Sequence, residues 1–378
     1  MSTTPLVLVL NAGSSSLKVA LIEASGARPL NVTRPLEPEP EQWLPTLLQP
    51  WRQRIALVGH RVVHGGERFT GPTRLDDDHQ AEVLAALEDL VPLAPLHNGP
   101  ALAVIRLSQR LITRPQWACF DTAFHSTLPE VARTYALPAR WRHQGLHRYG
   151  FHGLNHAHVA AVVEAQRAGR LPLQEAPMAP TRLLSAHLGA GCSLAAIAGG
   201  RCIDTTMGYT PLEGLVMASR SGSVDPGLLL HLLDQGLSAA DLNHALNAES
   251  GLLGLSGLSG DWRTLNKAAA DGHPRAQLAL AVFEHRLLQG IGAMTASLGG
   301  LDVLALSGGI GANDPALADR LKKHLAWLGT PEILRIPADE EGMIAHQVLE
   351  AAARAGLSLD RADPASDAAD GSGGDDRH

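Results

Sequence analysis

Leu6-Val7-Leu8-Val9-Leu10-Asn11-Ala12-Gly13-Ser14-Ser15-Ser16-Leu17-Lys18 runs from an apolar stretch into a turn of small or hydrogen-bonding residues. Leu6 to Leu10 has the length and character of a buried strand. Apolar residues resume at Val19, Ala20, Leu21 and Ile22, which predicts a strand–turn–strand hairpin. Glycine and serine let the backbone approach a bulky anion and offer it N–H and hydroxyl donors. Lys18 adds a positive charge at the far end. Such a hairpin is either an ordinary Gly/Ser turn or a cradle for a polyphosphate.

The pattern returns, and the return favours the cradle. Leu183-Leu184-Ser185-Ala186-His187-Leu188 enters Gly189-Ala190-Gly191-Cys192-Ser193, and Leu194 to Ala198 leads to a second turn at Gly199-Gly200. A third Gly-rich turn, Ser307-Gly308-Gly309-Ile310-Gly311-Ala312-Asn313, follows the strand-like Val303 to Leu306. No Gly-Lys-Ser/Thr follows four residues after a glycine, so none is a P-loop. None matches the dinucleotide fingerprint, which needs one strand–helix unit near a domain start. Two phosphate hairpins in separate halves, with a later turn able to hold adenosine, describe a nucleotide clamped between duplicated lobes.

With 378 residues the chain suggests two domains. Hydrophobic residues make up 45% and charged ones 18%, enough for sizeable cores, and aromatics at 4% make those cores aliphatic. A net charge of −7 and the lack of a basic run argue against a nucleic-acid partner. Cys119, Cys192 and Cys202 are too few for a disulfide framework and lack metal-ligand spacing, which suits a reducing compartment. The N-terminal apolar run is too short for a signal peptide or membrane span. A cytoplasmic protein with no membrane partner is expected.

Along the chain, the first hairpin gives way to a Pro-rich, poorly patterned stretch marked by Pro35, Pro38, Pro40, Pro45 and Pro50. A strand is expected at Ile55 to Val58, then a Gly-rich segment containing Arg61. Helices are expected over 77–90, with Val83, Leu84, Leu87 and Leu90 on one face, and over 99–111. Trp117 to Phe120 reads as a strand delivering Asp121 at its end. A long helix is expected over 276–298, with Leu278, Val282, Phe283, Leu287, Ile291, Met294 and Leu298 on one stripe. A last helix, about 343–356, precedes a tail at 363–378 whose composition cannot bury a core.

These motifs together resemble one family. Asn11 to Lys18, Gly59-His60-Arg61-Val62-Val63-His64-Gly65-Gly66, Phe120-Asp121-Thr122-Ala123-Phe124-His125 and Tyr149-Gly150-Phe151-His152-Gly153 are similar to acetate kinases. So are Thr210-Pro211-Leu212-Glu213-Gly214 and Ser219-Arg220-Ser221-Gly222-Ser223-Val224-Asp225-Pro226. The match runs in order from residue 6 to about 350. It implies an α/β fold of two actin-like, ribonuclease H-like domains, mixed sheets flanked by helices, with the active site in the cleft between them. The domains would be 1–148, with the last helix packing back onto it, and 149–342, which would bind nucleotide and dimerise. The implied reaction interconverts ATP and acetate with ADP and acetyl phosphate, using Mg2+ or Mn2+, in a homodimer.

Phosphoryl transfer to a carboxylate needs no strong base, because the nucleophile is already ionised near neutral pH. The protein must align two mutually repelling anions and neutralise charge on the equatorial oxygens. By resemblance, Arg61 takes the acceptor carboxylate, and Arg220 takes carboxylate and transferring phosphoryl. His152 donates to that phosphoryl, and Asp121 orients metal or acceptor. His152 and His156 also have the i, i+4 spacing of a zinc pair, but the intervening Gly153-Leu154-Asn155 lacks the glutamate of the zinc-protease motif. His97 stays outside the core catalytic set. Asn11 and Glu340 are the metal candidates, with Glu341 an open alternative. Lys18, Ser14 and Ser16 should meet phosphate, while Ser15 is as well suited to a structural role.

His187, Leu188, Gly189, Ala190 and Gly191 would meet phosphate from the second hairpin. Gly309, Ile310, Gly311, Ala312 and Asn313 would hold adenosine, with Asp261, Trp262 and Arg263 near the nucleoside. Val63, Leu96, Phe151 and Pro211 correspond to the positions lining the acetate methyl site. A β-branched Val63 favours acetate over propionate, although one methylene is worth only roughly 1–3 kcal/mol. Ala190 stands where the family usually has Asn, Ala312 where Glu is common, and Gly260-Asp261-Trp262-Arg263 where Asn-Asp-Phe-Arg is usual. These departures bear on nucleotide preference. A propionate or butyrate kinase is the alternative within the family, and a non-enzymatic nucleotide-binding regulator the alternative outside it. A sugar kinase would be expected to carry Asp where this chain has Asn11.

Overall fold

The computed structural model describes residues 4–169 and 180–357. The tail expected at 363–378 lies outside them. Strands β1 (Leu6–Ala12), β2 (Ser16–Glu23), β3 (Leu30–Pro35), β4 (Ile55–Val62), β5 (Thr73–Arg74) and β6 (Gln116–Phe120) form one mixed sheet in the order β3-β2-β1-β4-β6-β5. Strands β7 (Arg182–Leu188), β8 (Cys192–Ala198), β9 (Arg201–Thr205), β10 (Val303–Ser307) and β11 (Glu332–Arg335) form the other, in the order β11-β10-β7-β8-β9.

The two sheets repeat one plan. In each, the first strand pairs antiparallel with the second through a tight hairpin and parallel with a later strand. The third pairs antiparallel with the second, and a further parallel strand extends the opposite side. Among the parallel strands, β1, β6 and β10 are buried throughout and read as largely apolar runs, whereas β11, at the sheet edge, is only half-buried. The duplication read from the Gly-rich turns is thus a duplication of topology.

Helices cover both faces of each sheet. The long helix Pro274–Leu298 buries Ala276, Ala279, Phe283, Leu287, Ile291, Met294 and Leu298 against the second sheet. Leu278, expected on that stripe, is 55% exposed, because it lies five positions before Phe283 and so off the 3.6-residue repeat. The last helix, Glu340–Arg354, returns to the first sheet, where Met343, Ile344, Ala345 and Val348 pack on Val7, Val9 and Leu57. The helix Gly153–Ala168 buries Leu154 in that same cluster. One turn further on, its Val159, Ala160 and Val163 pack with Leu183 and Val303 of the second sheet.

Other expectations shift at their edges. The Pro-rich stretch contains β3 and a helix, Pro40–Leu48, since proline fits the first turn of a helix, whose N–H groups have no intrahelical partner. The helix expected over 77–90 is Gln80–Asp89, and that expected from Gly99 starts at Pro95 for the same reason. β4 continues to Val62, so His60 and Arg61 are strand residues rather than loop residues. Parallel partners on both sides, β1 and β6, carry the ladder past Gly59. The third Gly-rich segment is a short helix, Gly308–Gly311, not an open turn.

The last helix is docked by apolar packing, and Ile344, wholly buried, is its centre. Ile344→Ala should cost about 2–5 kcal/mol, the range for truncating a buried aliphatic side chain, measured as a lowered urea midpoint.

Candidate active site

The apolar burial of β4 and β6 carries a guanidinium and a carboxylate to the ends of two neighbouring strands. Arg61 Nε lies 3.2 Å from Asp121 Oδ1 and Nη2 lies 2.5 Å from Oδ2. Its remaining nitrogen, Nη1, lies 3.3 Å from Asn11 Oδ1 at the end of β1. Asn11 in turn donates to Glu340 Oε2 (3.2 Å) and Glu341 Oε1 (2.7 Å), the first residues of the last helix. Lys18, opposite Asn11 in the hairpin register, lies 3.3 Å from Glu341 Oε1.

The charges tune one another. Burial alone would lower the Arg61 pKa, but Asp121, Glu340 and Glu341 raise it above that of a free guanidinium. Burial pushes the Asp121 carboxyl up against the pull of Arg61. Burial also acts upward on Glu340, yet Arg61, His187 and Lys18 outweigh it and hold this carboxyl below the usual range. Asp121, expected to orient metal or acceptor, instead grips Arg61 bidentately.

The opposite lobe supplies a second guanidinium. Arg220 Nη1 donates to the Pro211 carbonyl at 2.7 Å, and among the described residues it pairs with no carboxylate. Burial lowers its pKa. A Cβ placed on Gly191 would stand 3.0 Å from Arg220 Nη2 and 3.1 Å from His152 Nε2, so both atoms line the turn of the second hairpin and a side chain at 191 would crowd them. His97 belongs here too: burial, then the charges of Arg61 and Arg220, push it down to about 4. Its neighbours in the chain gave no sign of this, because it faces the arginines only through the fold.

His152 holds a left-handed backbone (φ 58°), the only non-glycine residue with positive φ among those described. The cause lies beside it. Gly153 N–H donates to the Asp121 carbonyl at 2.8 Å, and a Cβ at 153 would come within 2.1 Å of that oxygen. The helix start is thus pressed against the end of β6, and His152 takes up the strain, as residues at functional sites often do. Its ring stacks on His187, centroids 4.2 Å apart.

Beyond the Gly189–Gly191 turn opens a cavity of about 1070 Å³. Gly189, Ala190, Asp261, Trp262, Arg263, Gly309, Ile310 and Asn313, all expected to bind nucleotide, line it. Gly260, whose departure was expected to bear on nucleotide preference, lines it as well, and so do Ala218, Asn266, Asp314 and Ala316, which were not expected to bind nucleotide; the Asp314-Pro315 helix-start pair was the only legible sign of these four. Trp262 Nε1–H donates to Asp314 at 2.7 Å, fixing the indole in the wall. Arg263 is 93% exposed at the rim, and Asp261 caps its helix by accepting from Thr264 N–H. Leu188 and Gly311 do not line the cavity: both are buried, Leu188 in the apolar core. Ala312 is absent from the lining as well.

In the first hairpin Ser14 is exposed and Ser16 half-buried at the turn. Ser15 accepts from Leu36 N–H through its carbonyl, a structural bond. Val63 and Phe151 are buried in one apolar cluster, and Pro211 lies against Arg220. Leu96, in the first turn of Pro95–Leu111, departs from expectation: it is 67% exposed and outside that cluster. Among the described residues no three His, Cys, Asp or Glu side chains converge to hold a metal. Asn11 with one or two carboxylates nevertheless fits a magnesium-like ion that keeps waters and takes phosphate oxygens.

A cavity of nucleotide size beside cations from two lobes of duplicated topology suits the binding of a phosphorylated ligand, as a phosphotransferase needs. The comparisons narrow this. Residues 44–347 match the model of the acetokinase family. An acetate kinase from Synechococcus sp. is 52% identical over 283 residues, covering 75% of this chain and 68% of that relative. Crystal structures of a Francisella tularensis propionate kinase (32% identity, TM-score 0.82) and a Porphyromonas gingivalis acetate kinase (33%, 0.79) each cover 92% of this chain and 99% of theirs. The chain belongs to the acetokinase family.

The buried histidines make folding acid-sensitive. His60, His64 and His125 are each pushed by burial from 6.5 to about 4. As pH falls through this window, the unfolded chain binds protons that the folded one refuses, so the stability present above about 6.5 is lost toward 4. Urea midpoints should fall between pH 7 and 5, and His60→Gln should flatten that slope by about 1.4 kcal/mol per pH unit.

Proposed function

We propose that the protein is an acetate kinase, moving the γ-phosphoryl group of ATP reversibly to acetate by direct in-line transfer, with acetyl phosphate and ADP as products. The observation that carries this reading is Arg220, a largely buried guanidinium without a carboxylate partner among the described residues, close enough to Arg61 for both charges to depress His97. Two such cations in a dry cleft attract two anions and offset the repulsion between them.

Arg61 holds the acetate carboxylate from the first lobe, with Asp121 and Asn11 keeping its fork in place. Arg220 spans carboxylate and transferring phosphoryl from the second. His152 Nε2 donates to the equatorial oxygens. The turns at Gly13–Ser15 and Gly189–Gly191, with Lys18 and His187, flank the phosphates, while the 1070 Å³ cavity accepts the nucleoside. Glu340 and Asn11 would hold a divalent metal, Mg2+ or Mn2+, which neutralises phosphate charge when bound. Asn11 donates to both Glu340 and Glu341, but Glu341 is also paired with Lys18, so Glu340 suits this better. The lobes, 1–148 with the returning helix and 149–342, close on the substrates.

Val63, Phe151 and Pro211 border the methyl side. A propionate kinase stands as the second reading because a relative of that name shares the fold at 32% identity; comparing kcat/KM for acetate, propionate and butyrate separates the two. The three free, buried cysteines support a reducing, cytoplasmic setting, and among the described residues no helix is long and apolar enough to cross a membrane. A homodimer is supported by the helix Pro226–Asp234, which buries none of its residues and leaves Leu228, Leu230 and Leu233 exposed.

With MgATP, acetate and hydroxylamine the protein should form acetyl hydroxamate. Arg61→Ala and Arg220→Ala should each lower turnover by about 10³-fold, the scale of a lost phosphoryl-clamping arginine; unimpaired turnover in both would remove the assignment. Leu230→Glu, at a site 63% exposed, should convert a dimer to a folded monomer in sedimentation equilibrium.

A further inference from the structure

His152 and His156, one helical turn apart, share a single hydroxyl. His152 Nδ1 lies 2.9 Å from Ser193 Oγ, and His156 Nε2 lies 2.8 Å from the same oxygen. His156 Nδ1 lies 2.8 Å from Ser185 Oγ. Ser185 on β7, Ser193 on β8 and His156 are all wholly buried, so water does not complete their bonding. The spacing that would suit a zinc pair is bridged by a serine instead.

Counting protons gives this chain a direction. Burial drives both rings well below 6.5, with neighbouring histidines and, at His152, Arg220 and Arg61 acting in the same direction, so each imidazole is neutral and carries one N–H. Ser193 has one proton between two ring nitrogens; it donates to one and accepts from the other. Two arrangements are possible. In the first, Ser185 donates to His156 Nδ1, His156 Nε2–H donates to Ser193, and Ser193 donates to His152 Nδ1. The proton of His152 then sits on Nε2. In the second every bond reverses and Nε2 is bare.

Ser185 decides between them. Among the described residues its Oγ has no partner other than His156 Nδ1. The reversed chain would strand a buried hydroxyl proton with no acceptor, which is costly; in the first arrangement both serine protons have acceptors, and the N–H left over is the one on His152 Nε2, at the Gly191 turn. The consequence falls on the cleft, because His152 Nε2 is the atom beside Arg220 at the Gly191 turn. A phosphoryl oxygen arriving there meets a donor in the first arrangement and a repelling lone pair in the second.

We propose that Ser185, His156 and Ser193 form a directed hydrogen-bond relay that holds His152 as its Nε2–H tautomer, ready to donate to the transferring phosphoryl group. The relay members are positioning residues that act through His152, and their effect on rate rests on the kinase reading above.

Long-range proton–nitrogen spectra of the full chain, labelled with nitrogen-15 histidine, read the tautomer directly, the His152 signals being those lost in His152→Gln. The wild type should show Nε2 protonated and Nδ1 bare. Ser193→Ala should show a tautomer mixture and a kcat lower by about tenfold, the rate equivalent of one neutral hydrogen bond, with KM for ATP and acetate within about twofold. His156→Gln, which can still donate to Ser193 and accept from Ser185, should keep the tautomer and most of the rate, while His156→Leu should lose both. A pure Nε2–H tautomer in Ser193→Ala, or wild-type kcat in that variant, overturns the relay. Failure of the wild type to form any acyl hydroxamate removes the kinase reading instead, and the spectra judge the relay in either case.

Discussion

The buried guanidinium of Arg61 is the interaction on which the cleft depends. It ties β4 to β6 through Asp121, to β1 through Asn11, and it faces the acidic start of the last helix. A charge in so dry a place is tolerable only when its partners are fixed, and here they come from three segments that the chain assembles separately. The apolar docking of the last helix is therefore electrostatic in consequence: it delivers Glu340 and Glu341 to the same few ångströms.

The second lobe is built with the opposite logic. Its guanidinium, Arg220, is held by a carbonyl and, among the described residues, by no carboxylate, so its charge is not offset there. One lobe neutralises its cation and the other leaves its cation unneutralised. That asymmetry, set on two sheets of identical plan, gives a site able to bind anions without a permanent counter-ion in the way. The histidines around it are held neutral first by burial and then by the same cations, which oppose their protonation.

Much of the fold was legible because its signals are local. Both hairpins, the strand ending at Phe120, the long helix and the last helix follow from apolar periodicity and small-residue turns. The errors have local causes as well. Proline hid the helix Pro40–Leu48 because a residue that breaks helices in the middle is welcome at their start. Gly59 hid the second half of β4 because ladder partners, not propensity, sustain a central strand. Leu278 was placed on the wrong side of its helix by a stripe drawn too wide. At the site, Arg61, Arg220, His152 and the turn glycines carry motif signatures, whereas Asn266, Asp314 and Ala218 became cavity walls through contacts across the chain.

Residue order by itself determined the duplicated hairpins, the apolar strands between them and the cationic and imidazole groups available for chemistry, since each depends on neighbours a few positions away. Only the tertiary structure decided what those groups do to each other. That Asp121 grips Arg61, that His97 feels the charges of two guanidiniums, and that Ser193 stands between His152 and His156 are matters of distance. Hydrogen bonding and desolvation act over a few ångströms of space, and segments up to some 330 positions apart in the chain meet there only when the sheets and their helices have packed.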